Sequence, residues 1–95
     1  MSQIGDCDTG SITLSGATPG GILTVLASPT NGGLFITTSY CGSLFLNIGF
    51  WVDAHNFTPD AAGNVTFPVP VNACGYYLQA LDRSSCDLSN VIFTI

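Results

Sequence analysis

The chain carries no glutamate and no lysine: its six acids are all aspartate (Asp6, Asp8, Asp53, Asp60, Asp82 and Asp87), and its single Lys/Arg residue is Arg83. Glu and Lys are strong helix formers that furnish the solvent face of most helices, so a helix built from this sequence has little to turn towards water. Thr, Val, Ile and Phe are abundant instead, and their branched or planar side chains pack well on a pleated surface. The sequence predicts an all-β chain.

Turn residues divide the chain at short intervals: Gly10, Gly16, the run 19–21, the run 29–33, Gly42, the run 59–63, the run 72–75 and the run 83–85. Between them lie seven strand-like runs, 11–15, 21–28, 34–38, 43–53, 64–71, 75–82 and 90–95, each bounded as strands in sandwiches are bounded. Residues 1–95 are thus expected to form a single antiparallel β-sandwich domain of immunoglobulin-like or Greek-key type. In 64–71, Val65, Phe67, Val69 and Val71 share one face, and Asn64, Thr66, Pro68 and Pro70 share the other. Two prolines cannot donate to a ladder, so this run belongs at a sheet edge. Gly63 is the natural left-handed residue of the turn before it.

The run 43–53 places Leu44, Leu46, Ile48, Phe50 and Val52 on one face but also Phe45 and Trp51 on the other. The same doubling sets Tyr76 and Leu78 against Tyr77, and Val91, Phe93 and Ile95 against Ile92. A two-sheet sandwich needs one inner face per sheet, so Phe45, Trp51, Tyr77 and Ile92 are the candidates for an exposed apolar association or ligand surface.

A domain of this length hides roughly 65% of the surface its unfolded chain exposes, a marginal core that cross-links would support. Cys7, Cys41, Cys74 and Cys86 contain no C-x-x-C pair, and one histidine accompanies them, so two disulfides are favoured over a zinc site. That predicts an extracellular, secreted or cell-surface protein. The first residues lack the charged start and apolar stretch of a secretory signal, which is expected to have been removed or replaced. In an up-and-down Greek-key layout the N-terminus and last hairpin share one end, which predicts Cys7–Cys86 and Cys41–Cys74. A Cys74–Cys86 bond is disfavoured, because the strand between them spans roughly 25 Å at about 3.3 Å per residue.

Composition excludes several function classes. Charged residues are 7% and hydrophobic residues 46% of the chain, which rules out a disordered tail or charged coiled coil. A net charge of −5 with one Arg argues against nucleic acid and anionic membranes as partners, and no apolar run reaches the roughly 18 residues of a membrane-spanning helix. Nucleophilic catalysis needs a base beside a nucleophile. His55 is the one histidine, in a polar stretch without a nucleophile-elbow or reactive-cysteine signature, and reads as a surface residue; no catalytic residue, metal or cofactor is expected. Asp6 and Asp8 meeting Asp82 and Asp87 would suit Ca²⁺, but the spacing matches no defined calcium loop and two solvated loops are favoured. Asn56-Phe57-Thr58 and Asn64-Val65-Thr66 match the glycosylation sequon, a pattern common by chance in Thr-rich chains. Trp51, Tyr40, Tyr76 and Tyr77 would suit a sugar-stacking platform or packing between subunits.

The second half runs Asp60-Ala61-Ala62-Gly63-Asn64-Val65-Thr66-Phe67-Pro68-Val69-Pro70, then Gly75-Tyr76-Tyr77-Leu78-Gln79-Ala80-Leu81-Asp82, then Leu88-Ser89-Asn90-Val91-Ile92-Phe93-Thr94-Ile95. This order of a D-x-x-G-N turn, an alternating strand, P-x-P, a Q-A strand and a final L-S-N apolar strand resembles a module at the C-termini of large secreted proteins of planctomycetes and myxobacteria. Cys41 matches the cysteine those modules carry before their middle strand, whereas Cys74 and Cys86 depart from the pattern. The resemblance implies a secreted bacterial β-sandwich of structural or adhesive type without catalytic residues. It also suggests a competing Cys7–Cys41 bond, leaving Cys74 and Cys86 for links between molecules. The functional expectation is a self-associating extracellular module, a homo-oligomer or filament subunit, with a monomeric polysaccharide-binding module around Trp51 as the alternative.

Overall fold

Residues 23–28 are buried on both faces of the strand they form, and that one fact organises the molecule, because a strand covered twice must lie between two layers. The computed structural model describes residues 1–7, 9–69 and 74–95, and over these the chain is all β. In chain order the strands are β1 Ser2–Ile4, β2 Ser11–Leu14, β3 Leu23–Ser28, β4 Asn31–Thr38, β5 Gly42–Ile48, β6 Asp53–Phe57, β7 Val65–Pro68, β8 Tyr77–Asp82 and β9 Ile92–Phe93.

One antiparallel sheet has the order β1-β2-β7 and a second the order β6-β3-β8-β9. They face each other across the main core: Ile12, Leu14, Val65, Phe67 and Val69 from the first side, Leu23, Val25, Ala27, Leu78 and Ala80 from the second. β4 and β5 form a separate antiparallel hairpin laid over the outer face of the second sheet, where Leu26, Leu46 and Ile48 make a smaller core. The architecture is an antiparallel sandwich with a third, partial layer. Gln79 ties that layer down: fully buried, it accepts a bond from the Asn47 amide (2.9 Å) and donates to the Ser89 carbonyl (3.0 Å).

The edge strand is found as the alternation predicts. β7 ends the first sheet, with Val65, Phe67 and Val69 buried and Asn64, Thr66 and Pro68 exposed; Pro70 and Val71 lie outside the described residues. Gly63 adopts φ 78° and its carbonyl receives the Ala17 amide at 3.0 Å, while Asp60 closes the turn by accepting from the Ala62 and Asn64 amides at 2.9 Å each.

The run 43–53 is not one strand. It breaks after Ile48, where the Gly49 amide bonds the Thr30 carbonyl (2.9 Å) and the Val52 amide bonds the Ala27 carbonyl (2.8 Å), returning the chain from the hairpin to the edge of the second sheet. A Cβ at Gly49 would strike the Thr30 side chain, so this close approach requires glycine. Phe50 and Val52, expected inside with Leu46 and Ile48, are exposed.

All four cysteines are disulfide-bonded, but as Cys7–Cys74 and Cys41–Cys86, with Cα–Cα distances of 5.4 and 5.6 Å. Neither the expected Cys7–Cys86 and Cys41–Cys74 bonds nor the competing Cys7–Cys41 bond forms. Strand pairing gives the reason. β2 begins beside the end of β7, Ser11 opposite Pro68, so the segments before the one and after the other leave from the same end. β3 begins beside the end of β8, Leu23 opposite Asp82, and β4 doubles back over β3, carrying the hairpin tip with Cys41 to the β8–β9 loop with Cys86.

Candidate functional site

Doubling back leaves a gap between the hairpin and the sheet beneath it. A cavity of about 320 Å³ lies there, lined by Leu26 and Leu81 from the sheet, Ile36 and Tyr40 from the hairpin, and Trp51 and Arg83, with Thr24, Thr37, Thr38 and Ala54 completing its lining. The Cys41–Cys86 bond clasps one end, since Tyr40 precedes Cys41 and Arg83 begins the turn that ends at Cys86. The charged member of the lining and the threonine bonded to it are held by neighbours. Arg83 Nε donates to Thr24 Oγ1 at 3.0 Å, and Thr24 Oγ1 donates onward to Asn56 Oδ1 at 2.7 Å. The guanidinium carbon sits 4.5 Å from the Tyr40 ring centroid, a cation–π contact that fixes its plane.

No carboxylate pairs with Arg83 among the described residues, where the one ion pair is His55 Nε2 with Asp53 Oδ2 at 2.9 Å. The adjacent acid, Asp82, is engaged elsewhere: Oδ2 accepts from the Thr18 amide (2.7 Å) and hydroxyl (2.9 Å), and Oδ1 from the Ser84 and Ser85 amides (3.0 and 3.4 Å). Burial by itself would raise the Asp82 pKa, but these bonds to Thr18, Ser84 and Ser85 outweigh it and hold the carboxyl below its ordinary value. Among the described residues the groove therefore holds a cation without a carboxylate partner, in a chain of net charge −5.

The second candidate surface is the outer face of the hairpin. Phe35 and Phe45 are directly opposite across β4 and β5 and are 66% and 59% exposed; the Phe45 ring lies where a Cβ on Gly33 would be. Phe50, also exposed, follows in the return to β6. Among the described residues β4 and β5 pair with no other strand, which leaves the outer edge of β4 open, whereas on β5 the Asn47 amide is taken by Gln79.

Of the residues the sequence nominated, Phe45 and Trp51 are exposed, Trp51 on the groove and Phe45 on the outer face. Tyr77 and Ile92 are not free surface. Tyr77 is half-buried against the Leu26–Leu46–Ile48 core and packs on Phe93 with ring centroids 4.8 Å apart, and Ile92 is half-buried against the main core. The hairpin occupies the face a two-sheet sandwich would leave open. Exposed instead are Phe35, Phe50, Ile4, Phe93 and Ile95, the first missed because its run offered no second large residue on that parity. His55, expected on the surface, lies on β6, where its side chain bonds Asp53. The Asp6 loop and Asp82 lie at opposite ends of β2, which separates the acids that would have gathered around Ca²⁺; Asp8 lies outside the described residues. Among the described residues no cluster of three metal-ligating groups occurs, and no helix is long and apolar enough to cross a membrane.

Compared with protein-family models, with curated proteins and with solved structures, the chain matches none.

Proposed function

We propose that this chain is an extracellular, non-enzymatic structural or adhesive module that associates with copies of itself through the outer face of the β4–β5 hairpin, as a filament or surface-layer subunit. Two disulfides in a small all-β chain suit an oxidising compartment, which supports the extracellular assignment. The observation that carries the reading is the exposed Phe35–Phe45 cross-strand pair on a two-stranded layer that joins no other strand among the described residues. Large aromatic side chains at the centre of such a patch are typical anchors of protein association, and the open edge of β4 is a template for a further strand. Low charge adds little repulsion between copies. A contact of this patch with a different surface of the next copy does not close and propagates a filament.

Light scattering and negative-stain microscopy of the oxidised protein test the reading. Oligomers or fibres are expected to grow with concentration. Replacing both anchors (Phe35→Ser with Phe45→Ser) is expected to weaken association by roughly 30-fold per anchor, from about 2 kcal/mol each. A monomer at every concentration refutes it.

A second reading, binding of a polysaccharide, is favoured by the groove, where Trp51 and Tyr40 flank a cavity of sugar-ring dimensions with threonines in its lining.

A further inference from the structure

From the groove geometry we infer that its ligand is an acidic saccharide, a sugar bearing one carboxylate, with Arg83 the residue that selects for the acid; this rests on the polysaccharide-binding reading and is independent of self-association.

The inference begins from charge. A half-buried guanidinium normally has a carboxylate partner, since desolvating a charge without one is costly. Arg83 has none among the described residues, although the chain contains six aspartates, one of them its immediate neighbour. Asp82 is held in the Thr18, Ser84 and Ser85 bonds, on atoms that leave no acceptor directed at Arg83.

The guanidinium is also held ready. Nε is committed to Thr24 and the ring of Tyr40 backs the plane, so with respect to the described residues the two terminal nitrogens remain as a pair of donors. That pair matches the spacing of carboxylate oxygens, and such forked bonds are about twice as strong as neutral ones. Pre-setting the fork reduces the ordering cost that binding otherwise incurs.

What surrounds the fork defines the body of the ligand. Trp51 supplies an aromatic wall suited to the apolar face of a pyranose ring, and Leu26 and Leu81 of the sheet with Ile36 of the hairpin supply apolar lining. The cavity, about 320 Å³, is at the small end of the roughly 300–1,000 Å³ of ligand sites, which limits the part enclosed to one or two rings. One cation facing a protein of net charge −5 matches one carboxylate and is poorly suited to a phosphate- or sulfate-dense chain, whose further charges meet only aspartates.

The test is an NMR and calorimetric titration of the full, oxidised chain with aldotetraouronic acid, a neutral xylo-oligosaccharide carrying one glucuronate, and with its methyl ester, which keeps the shape and removes the charge. The acid is expected to shift the Trp51 indole and Arg83 Nε resonances and to bind roughly 10- to 100-fold more tightly than the ester, the contribution of a charge-assisted bond. Arg83→Gln is expected to bind acid and ester alike, Arg83→Lys to recover part of the preference, and Trp51→Ala to lose both ligands. One-dimensional spectra with native dispersion establish that each variant is folded, and should Arg83→Gln not fold, the acid-to-ester ratio in the unsubstituted protein decides alone. Equal affinity for acid and ester overturns the role of Arg83 and leaves the polysaccharide reading standing. Absence of binding by either overturns both. Acetate binding as tightly as the acidic oligosaccharide also overturns the inference, because the sugar body then contributes nothing.

Discussion

Removing the Cys41–Cys86 bond with serines at both positions should release one layer of this protein before the rest. The two disulfides close loops of sequence separation 45 and 67, and loop-closure entropy depends so weakly on length that each bond is worth about 4 kcal/mol in that account. On entropy alone the two double-serine variants would behave alike. The packing differs, however. Cys7–Cys74 joins ends of strands that flank a core of eleven buried residues among those described, whereas Cys41–Cys86 pins a hairpin whose own Leu46 and Ile48 pack on Leu26 of β3 in the smaller core. With domain stabilities of about 5–15 kcal/mol, losing about 4 kcal/mol from the thinner layer should let it open while the main core persists. The sole tryptophan, Trp51, lies on the groove under that hairpin and reports on it, while far-ultraviolet circular dichroism reports on the sheets. In guanidinium, the Cys41→Ser/Cys86→Ser protein should lose its folded Trp51 fluorescence at lower denaturant than its circular dichroism; in the Cys7→Ser/Cys74→Ser protein the two transitions should coincide. Coincident transitions in the first variant, or a total loss below about 1 kcal/mol where about 4 is expected, would refute the view of the hairpin as a separately pinned layer.

Asp82→Asn should cost about 1.5–3 kcal/mol at neutral pH, because both carboxyl oxygens accept from donors, Thr18 on one and Ser84 and Ser85 on the other, and an amide must set its NH2 against one of these part-buried groups. Since the folded carboxyl titrates below its unfolded value, its contribution is present above pH about 4 and is lost as pH falls through the folded pKa; urea midpoints across pH should show wild type converging on the variant in acid. Gly63→Ala, at φ 78° with its new Cβ against the Ala17 carbonyl, should destabilise by at least about 1–2 kcal/mol, visible as a lowered thermal midpoint.

Much of the fold was legible because single residues carried the information. The absence of Glu and Lys and the spacing of turn residues specify an all-β chain, and the Val65–Phe67–Val69 alternation with Pro68 opposite specifies an edge strand. Parity stopped being informative where both faces are covered. In β3 and β8 apolar and small residues occur on either side, so Tyr77 read as outward-facing when a third layer in fact lies over that side of the sheet; around β9, where Val91, Ile92 and Phe93 are all large, parity pointed the wrong way round, and Ile92, opposite Leu78, faces the main core while Phe93 is exposed. The disulfides were unreadable for a related reason: four cysteines admit three pairings, and the choice depends on which strand ends coincide, a property of topology rather than of local sequence. Phe35 belongs to the same class, since only the Phe35–Phe45 register shows it to be half of a pair.

The buried polar residues of β3 and β8 connect these points to function. Thr24, Ser28 and Gln79 are all buried on the face that the hairpin covers, and such groups are retained at low cost only where they find partners. Ser28 Oγ receives the Thr30 amide (3.1 Å) at the point where the chain turns into β4; Gln79 holds β5; Thr24 holds Arg83. An apolar β3 would bury as much surface, yet it would bind the hairpin without fixing where it lies. The polar set places the hairpin so that one face meets Leu26, the other displays Phe35 and Phe45, and the tip brings Tyr40 over Arg83. Both candidate surfaces therefore depend on one local event, the reversal at Ser28 to Asn31. A Thr24→Val substitution, near-isosteric and better suited to a purely apolar layer, separates the two roles: it should leave stability within about 1 kcal/mol of wild type while freeing Arg83 from its anchor, so that the acid-over-ester preference of the groove falls and association through the outer face is unchanged.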